Sequence, residues 1–155
     1  MTITFTNGSE TVTPADEVPA GLTEGVSVDF PAGLPGFADA HHFLLEDLGE
    51  HLSPFQRLRH TGSPEIAFTV VLAGLLYPDY SVEIDEDHQV SLGIAGAEDV
   101  ATYLMITVPR PPQPPTANLL GPIVVNRRTG AAAQVVQHRS SYRVAEPLPA
   151  ARRPA

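Results

Sequence analysis

Proline and glycine break this chain at short intervals and leave little room for long regular elements. Sixteen prolines and twelve glycines are spread over 155 residues. The segments between them are short and rich in Val, Ile, Phe and Tyr, the pattern of an all-β domain built from many brief strands. A chain of this length buries roughly 68–70% of its unfolded surface, so one domain holds a core without staples. There is no cysteine, which excludes a disulfide framework, a thiolate metal site and a cysteine nucleophile.

The strands are expected at residues 2–5, 26–30, 43–46, 55–60, 66–72, 80–84, 100–108, 123–126 and 133–138. IAFTVVL (66–72) is nearly continuous in apolar residues and reads as a strand buried on both faces. VATYLMITV (100–108) is the longest candidate. RRTG (127–130) reads as a hairpin turn in which Gly130 supplies a positive φ. Residues 85–93 fit a two-turn helix with Asp85 as cap, Glu86 and Asp87 in the first turn and Gly93 at the close. They equally fit a hairpin between 82–84 and 90–94. PRPPQPP (109–115) reads as an exposed, extended polyproline connector. From Pro147 (PLPAARRPA) only Leu148 is core-forming, and a disordered tail is expected. The domain is read as residues 1–148, with 149–155 as the tail.

The charges are segregated. Eighteen acids and nine arginines, with no lysine, give a net charge of −9. Residues 1–99 hold 17 acids and two arginines, a net of −15, whereas residues 100–155 hold one acid and seven arginines. A net negative chain is a poor partner for nucleic acid, although the arginines at 127, 128, 139 and 143 form a basic cluster. Either the asymmetry marks a contact surface for a charged partner, or the fold brings both halves together and the field partly cancels. The absence of lysine excludes P-loop and Schiff-base chemistry, and no G-x-S-x-G is present.

His41, His42, His51 and His60 lie close in sequence but lack metal-binding spacing, and no metal or other cofactor is expected. The acidic run at 85–87 fails the EF-hand pattern, since Val90 and Gly96 stand where Gly and Glu are needed. No run of 18 apolar residues is present and the first residues lack a secretory pattern, so a cytoplasmic protein with no membrane association is expected.

Two segments are over-specified for plain loops. In FPAGLPGF (30–37), prolines at 31 and 35 and glycines at 33 and 36 fix an unusual turn between two phenylalanines. In TANLLGPIVVN (116–126), Asn118 can hold an Asx-type turn. Both segments are either structural corners or partner contacts.

Together with PF (54–55), PEIAF (64–68), YPDY (77–80), EDV (98–100), QVV (134–136) and a closing Y-x-x-x-x-P-L (142–148), these segments stand in an order that resembles the FliW family of flagellar assembly factors. The resemblance spans roughly residues 2–148. It implies a small β-barrel-like domain of many short antiparallel strands with at most one or two short helices. It implies no enzymatic activity, and a regulator with two protein partners. Such a regulator binds the translational repressor CsrA, relieving repression of flagellin mRNA, and it binds cytoplasmic flagellin in a partner switch. It is expected to be a monomer when free and not to touch nucleic acid directly. CsrA must present basic surface to RNA, so an acidic partner suits it. The expected partner-binding residues are Glu83, Asp85, Glu86, Asp87, Glu98 and Asp99 for the field, with Asn118, Leu119, Leu34 and Phe37 from the two motifs. The rival reading is a small β-barrel enzyme or ligand-binding protein with its site in the barrel mouth.

Overall fold

The computed structural model describes residues 3–6, 25–63, 65–138 and 141–149. The strands among them are β1 (Ile3–Thr6), β2 (Ser27–Asp29), β3 (His42–Asp47), β4 (Gln56–His60), β5 (Ala67–Leu72), β6 (Ser81–Ile84), β7 (Val100–Thr107), β8 (Thr116–Ala117), β9 (Ile123–Asn126), β10 (Ala132–Gln134) and β11 (Glu146–Pro147). Two short helices interrupt them, α1 (Ala73–Leu76) and α2 (Glu86–Leu92). Arg139 and residues 150–155 lie outside the described residues.

Nine strands form one antiparallel sheet whose main path runs β10-β9-β7-β5-β4-β3-β2, with β8 and β11 off that path. β7 is its hinge. One edge of β7 pairs with β5, and the other pairs with β9 at Val100–Tyr103 and with β8 at Ile106 and Thr107. β11 continues from β8. The sheet curls until β2 approaches the β9–β10 turn, where Asp29 N–H donates to Gly130 O at 2.8 Å. A single bridge, Asp29 to Ala131, joins these ends. Among the described residues no ladder closes the sheet, so in place of the expected barrel they form an open, curled antiparallel sheet.

The curl encloses one core, in which Phe30 and Phe43 meet edge to face at 5.3 Å among Val28, Leu45, Leu58, Val70, Tyr103 and Ile123. The outer face of β5, β7 and β9 carries a second core. It is covered by β6, α2 and the segment after β10, and includes Val71, Tyr80, Ile84, Leu92, Leu104 and Val124. This double coverage explains why every residue of IVVN in β9 is buried. It also limits the reading of 66–72. Only Val70 and Val71 of β5 are fully buried, while Ala67 is exposed, because the second layer covers only the strand's end.

At 85–93 the chain takes the helix and not the hairpin. The Asp85 carboxylate accepts from His88 N–H, and Gly93 closes the helix at φ 66 in the left-handed region. The expected turn at 127–130 is present, with Gly130 at φ 85. Two expectations are corrected. Residues 109–115 do not run extended, since Gln113 N–H donates back to Arg110 O at 3.1 Å and folds the prolines into a turn. Pro147 does not begin a tail. It pairs with Thr116 in β11, and Leu148 packs on the second core.

Candidate partner-binding surface

The second layer presents the acidic residues. β6 carries Glu83 and leads directly into α2. Its edges are filled differently, with β1 pairing along one and side chains closing the other. Glu83 N–H donates to Gln137 Oε1 at 2.7 Å, and Ser81 N–H donates to the Tyr142 hydroxyl at 2.9 Å. Glu83 is half-buried, while Asp85, Glu86 and Asp87 are exposed at the start of α2. Acids there complement the positive end of the helix. Partial burial pushes the Asp85 carboxyl up, but the His88 N–H and ring hold it below its ordinary value.

Glu98 is exposed as expected of a surface charge, but Asp99 beside it is not. Asp99 is 4% exposed and accepts from Arg128 Nε at 2.8 Å and from Ala95 N–H at 2.9 Å. The guanidinium beside it, with the Ala95 and Gly96 N–H groups, pushes its carboxyl down to about 2. Its charge is spent on tying the β9–β10 turn to the segment before β7, so it does not join the open acidic field. The same pair is where the acidic and basic halves of the sequence meet. Arg57 and Arg59, both arginines of the first 99 residues, are held by Glu46 at 3.2 and 2.6 Å.

The motif residues divide similarly. Asn118 Oδ1 accepts from the N–H groups of Leu120 and Gly121 at 3.1 and 2.9 Å, the Asx-type turn its position suggested. Leu119 is buried, and its carbonyl accepts the Tyr80 hydroxyl at 2.6 Å. Both make structural bonds here, Leu119 from a buried position and Asn118 from a half-buried one. Leu34 is buried as well, whereas Phe37 is 40% exposed and meets Phe68 edge to face at 5.7 Å. The loop that carries Phe37 requires glycine, because Gly33 and Gly36 take positive φ and a Cβ on Gly33 would run into the Ala38 carbonyl. Five of the ten expected residues therefore present open surface: Asp85, Glu86, Asp87 and Glu98 around the second layer, and Phe37 on the corner that opens β3.

Several histidines are occupied locally. His41 bonds Phe30 O, His42 pairs with Asp29, and His60 accepts from Ser63 N–H. No group of three or more metal-ligating side chains gathers among the described residues.

The family model of the FliW protein matches residues 18–148. The chain belongs to the FliW family. Its relatives include the flagellar assembly factor FliW of Bacillus licheniformis, 39% identical over 127 residues, covering 82% of this chain and 88% of the relative. The FliW of Bacillus subtilis strain 168 is 38% identical over 119 residues, covering 77% and 82%. A crystal structure of the flagellar assembly factor FliW superposes with a TM-score of 0.72 at 26% identity, over 93% of this chain and 95% of that one. The FliW match thus contains all ten residues considered above. No helix among the described residues is long and apolar enough to cross a membrane.

The residues that reading by motif overlooked are Tyr77, Tyr80, Gln137 and Tyr142. YPDY and the closing Y-x-x-x-x-P-L contain three of them. Nothing local signalled that these two segments, some sixty residues apart, stack Tyr80 on Tyr142 at 4.6 Å.

Proposed function

We propose that the chain is a non-enzymatic cytoplasmic flagellar assembly factor that works by exchanging protein partners. It binds CsrA and prevents repression of flagellin mRNA, and it binds flagellin, which releases CsrA. The match of residues 18–148 to the FliW family carries this reading. The exposed acids of α2 support it, since a CsrA surface built for RNA phosphate is attracted to Asp85, Glu86 and Asp87. Once bound, the same field repels RNA.

The rival reading, a small β-barrel enzyme or ligand-binding protein with its site in the barrel mouth, gains no support from the interior of the curled sheet. The free space among Val28, Leu45, Leu58, Val70, Tyr103, Ile123 and Val125 is about 10 Å³ and its lining is apolar. That is roughly the volume of one water position and admits no substrate.

Calorimetric titration of the purified chain with CsrA and with flagellin of the same organism tests the proposal. Saturable binding of both is expected. Binding of neither overturns it.

A further inference from the structure

The turn after α1 and the C-terminal segment enclose an open groove of about 460 Å³. Tyr80 and Leu119, both buried, form its floor, and Tyr77 and Pro147 stand in its walls. The hydroxyls of these tyrosines donate to main-chain carbonyls, Tyr77 to Pro147 O at 3.2 Å in an exposed setting and Tyr80 to Leu119 O at 2.6 Å in a buried one. Tyr142, also in the lining, receives Ser81 N–H on its hydroxyl. The groove therefore offers aromatic and proline surface and few polar groups to orient a small molecule. Its two charged lining residues, Asp79 and Glu146, are both acids. Glu146 pairs loosely with the exposed Arg143, at 3.8 Å.

Strand addition is not available on this wall. β11 is an edge strand, but Pro147 has no N–H and its carbonyl is taken by Tyr77. Recognition must go through side chains. We propose that the groove binds an extended segment of a protein partner, with a proline or aliphatic side chain against Tyr77 and Tyr142 and a basic side chain drawn to Asp79 and Glu146. Aromatic grooves take such segments because a proline-rich strand loses little entropy on docking. The charge of the lining and the net −9 of the chain select a cationic segment over an acidic one.

The inference rests on the reading of the chain as a protein-binding factor, and its test uses neither proposed partner. Random peptides displayed on phage are panned against the full chain, and enriched peptides are synthesised and titrated by fluorescence anisotropy. Peptides combining a proline or aliphatic anchor with an arginine or lysine are expected. Their affinity should fall by about tenfold or more for Asp79→Arg with Glu146→Arg. It should also fall for Tyr77→Ala, and stay unchanged for Glu50→Arg, an exposed acid outside the groove. Amide chemical shifts of each variant confirm that the fold is kept, and those of the wild type should move at 76–80 and 142–149. The proposal is overturned if basic peptides are not enriched or if they bind the reversed variant equally well. It is also overturned if free arginine amide displaces them at similar concentration, or if the groove proves to be filled by a second copy of the chain. A failure here leaves CsrA and flagellin binding untouched, and a failure of those partners to bind leaves the groove result standing.

Discussion

Gln137 completes an edge of β6 that no strand among the described residues occupies. Its amide accepts from Glu83 N–H at 2.7 Å and donates to Glu83 O at 3.1 Å and Val135 O at 3.0 Å, while the side chain itself is 4% exposed. One side chain thus stands in for a strand and locks the segment after β10 onto the layer that carries the acids. Replacing it with the similarly sized leucine strands the paired Glu83 groups in a dry setting. Gln137→Leu should destabilise the chain by about 1–3 kcal/mol, read as a lower urea midpoint at unchanged m-value.

Asp99 and Arg128 give stability a specific dependence on acid. The carboxyl is held at about 2 in the folded protein, against about 3.9 in an unfolded chain. A depressed folded pKa means that the contribution is fully present above the unfolded value and is lost as pH falls through the folded one. The wild type should therefore lose stability between about pH 4 and 2 more steeply than Asp99→Asn. Thermal melts across that range check this. Parallel curves would show that the pair contributes nothing to the acid limb.

Gly130 and Gly36 separate backbone strain from steric contact. Both take positive φ, 85 and 86. A Cβ on Gly36 meets nothing within 4 Å, whereas on Gly130 it falls 2.5 Å from Ser27 O at the seam between β2 and the β9–β10 turn. Gly36→Ala should cost about 1–2 kcal/mol from the left-handed conformation alone. Gly130→Ala should cost clearly more and open the Asp29 to Gly130 hydrogen bond, visible as faster amide exchange at Asp29.

The acids of α2 should act on association rate. Reversing Glu86 and Asp87 together to arginine should slow CsrA binding by on the order of tenfold at low ionic strength, with the difference shrinking as salt rises. Stopped-flow mixing at several salt concentrations measures it. Equal rates at low salt would remove the acidic helix from the interface.

Much of the fold was legible because its signals are local. Proline and glycine spacing marked the strand boundaries. Asp85 and Gly93 marked α2, although the hairpin alternative needed tertiary contacts to exclude it. Gly130 marked its turn. The remainder depends on long-range placement. Whether the ends of the sheet meet is decided by one contact, Asp29 to Gly130, between residues about a hundred apart. Asp99 looked like surface charge because its partner, Arg128, lies 29 residues further along the chain. The corner motifs were recognised, but their division into buried Leu34 and exposed Phe37, or into the internal bonds of Asn118 and Leu119, follows from packing that no spacing encodes. The proline run at 109–115 turns back through a single hydrogen bond where composition alone favours extension.

The partner switch is the central claim, and competition tests it most directly. The complex of the chain with CsrA is formed, flagellin is added, and the species are separated by size-exclusion chromatography with light scattering. Release of free CsrA together with a new complex of the chain with flagellin is predicted. A stable assembly of all three, or CsrA retained in full at saturating flagellin, would contradict the account.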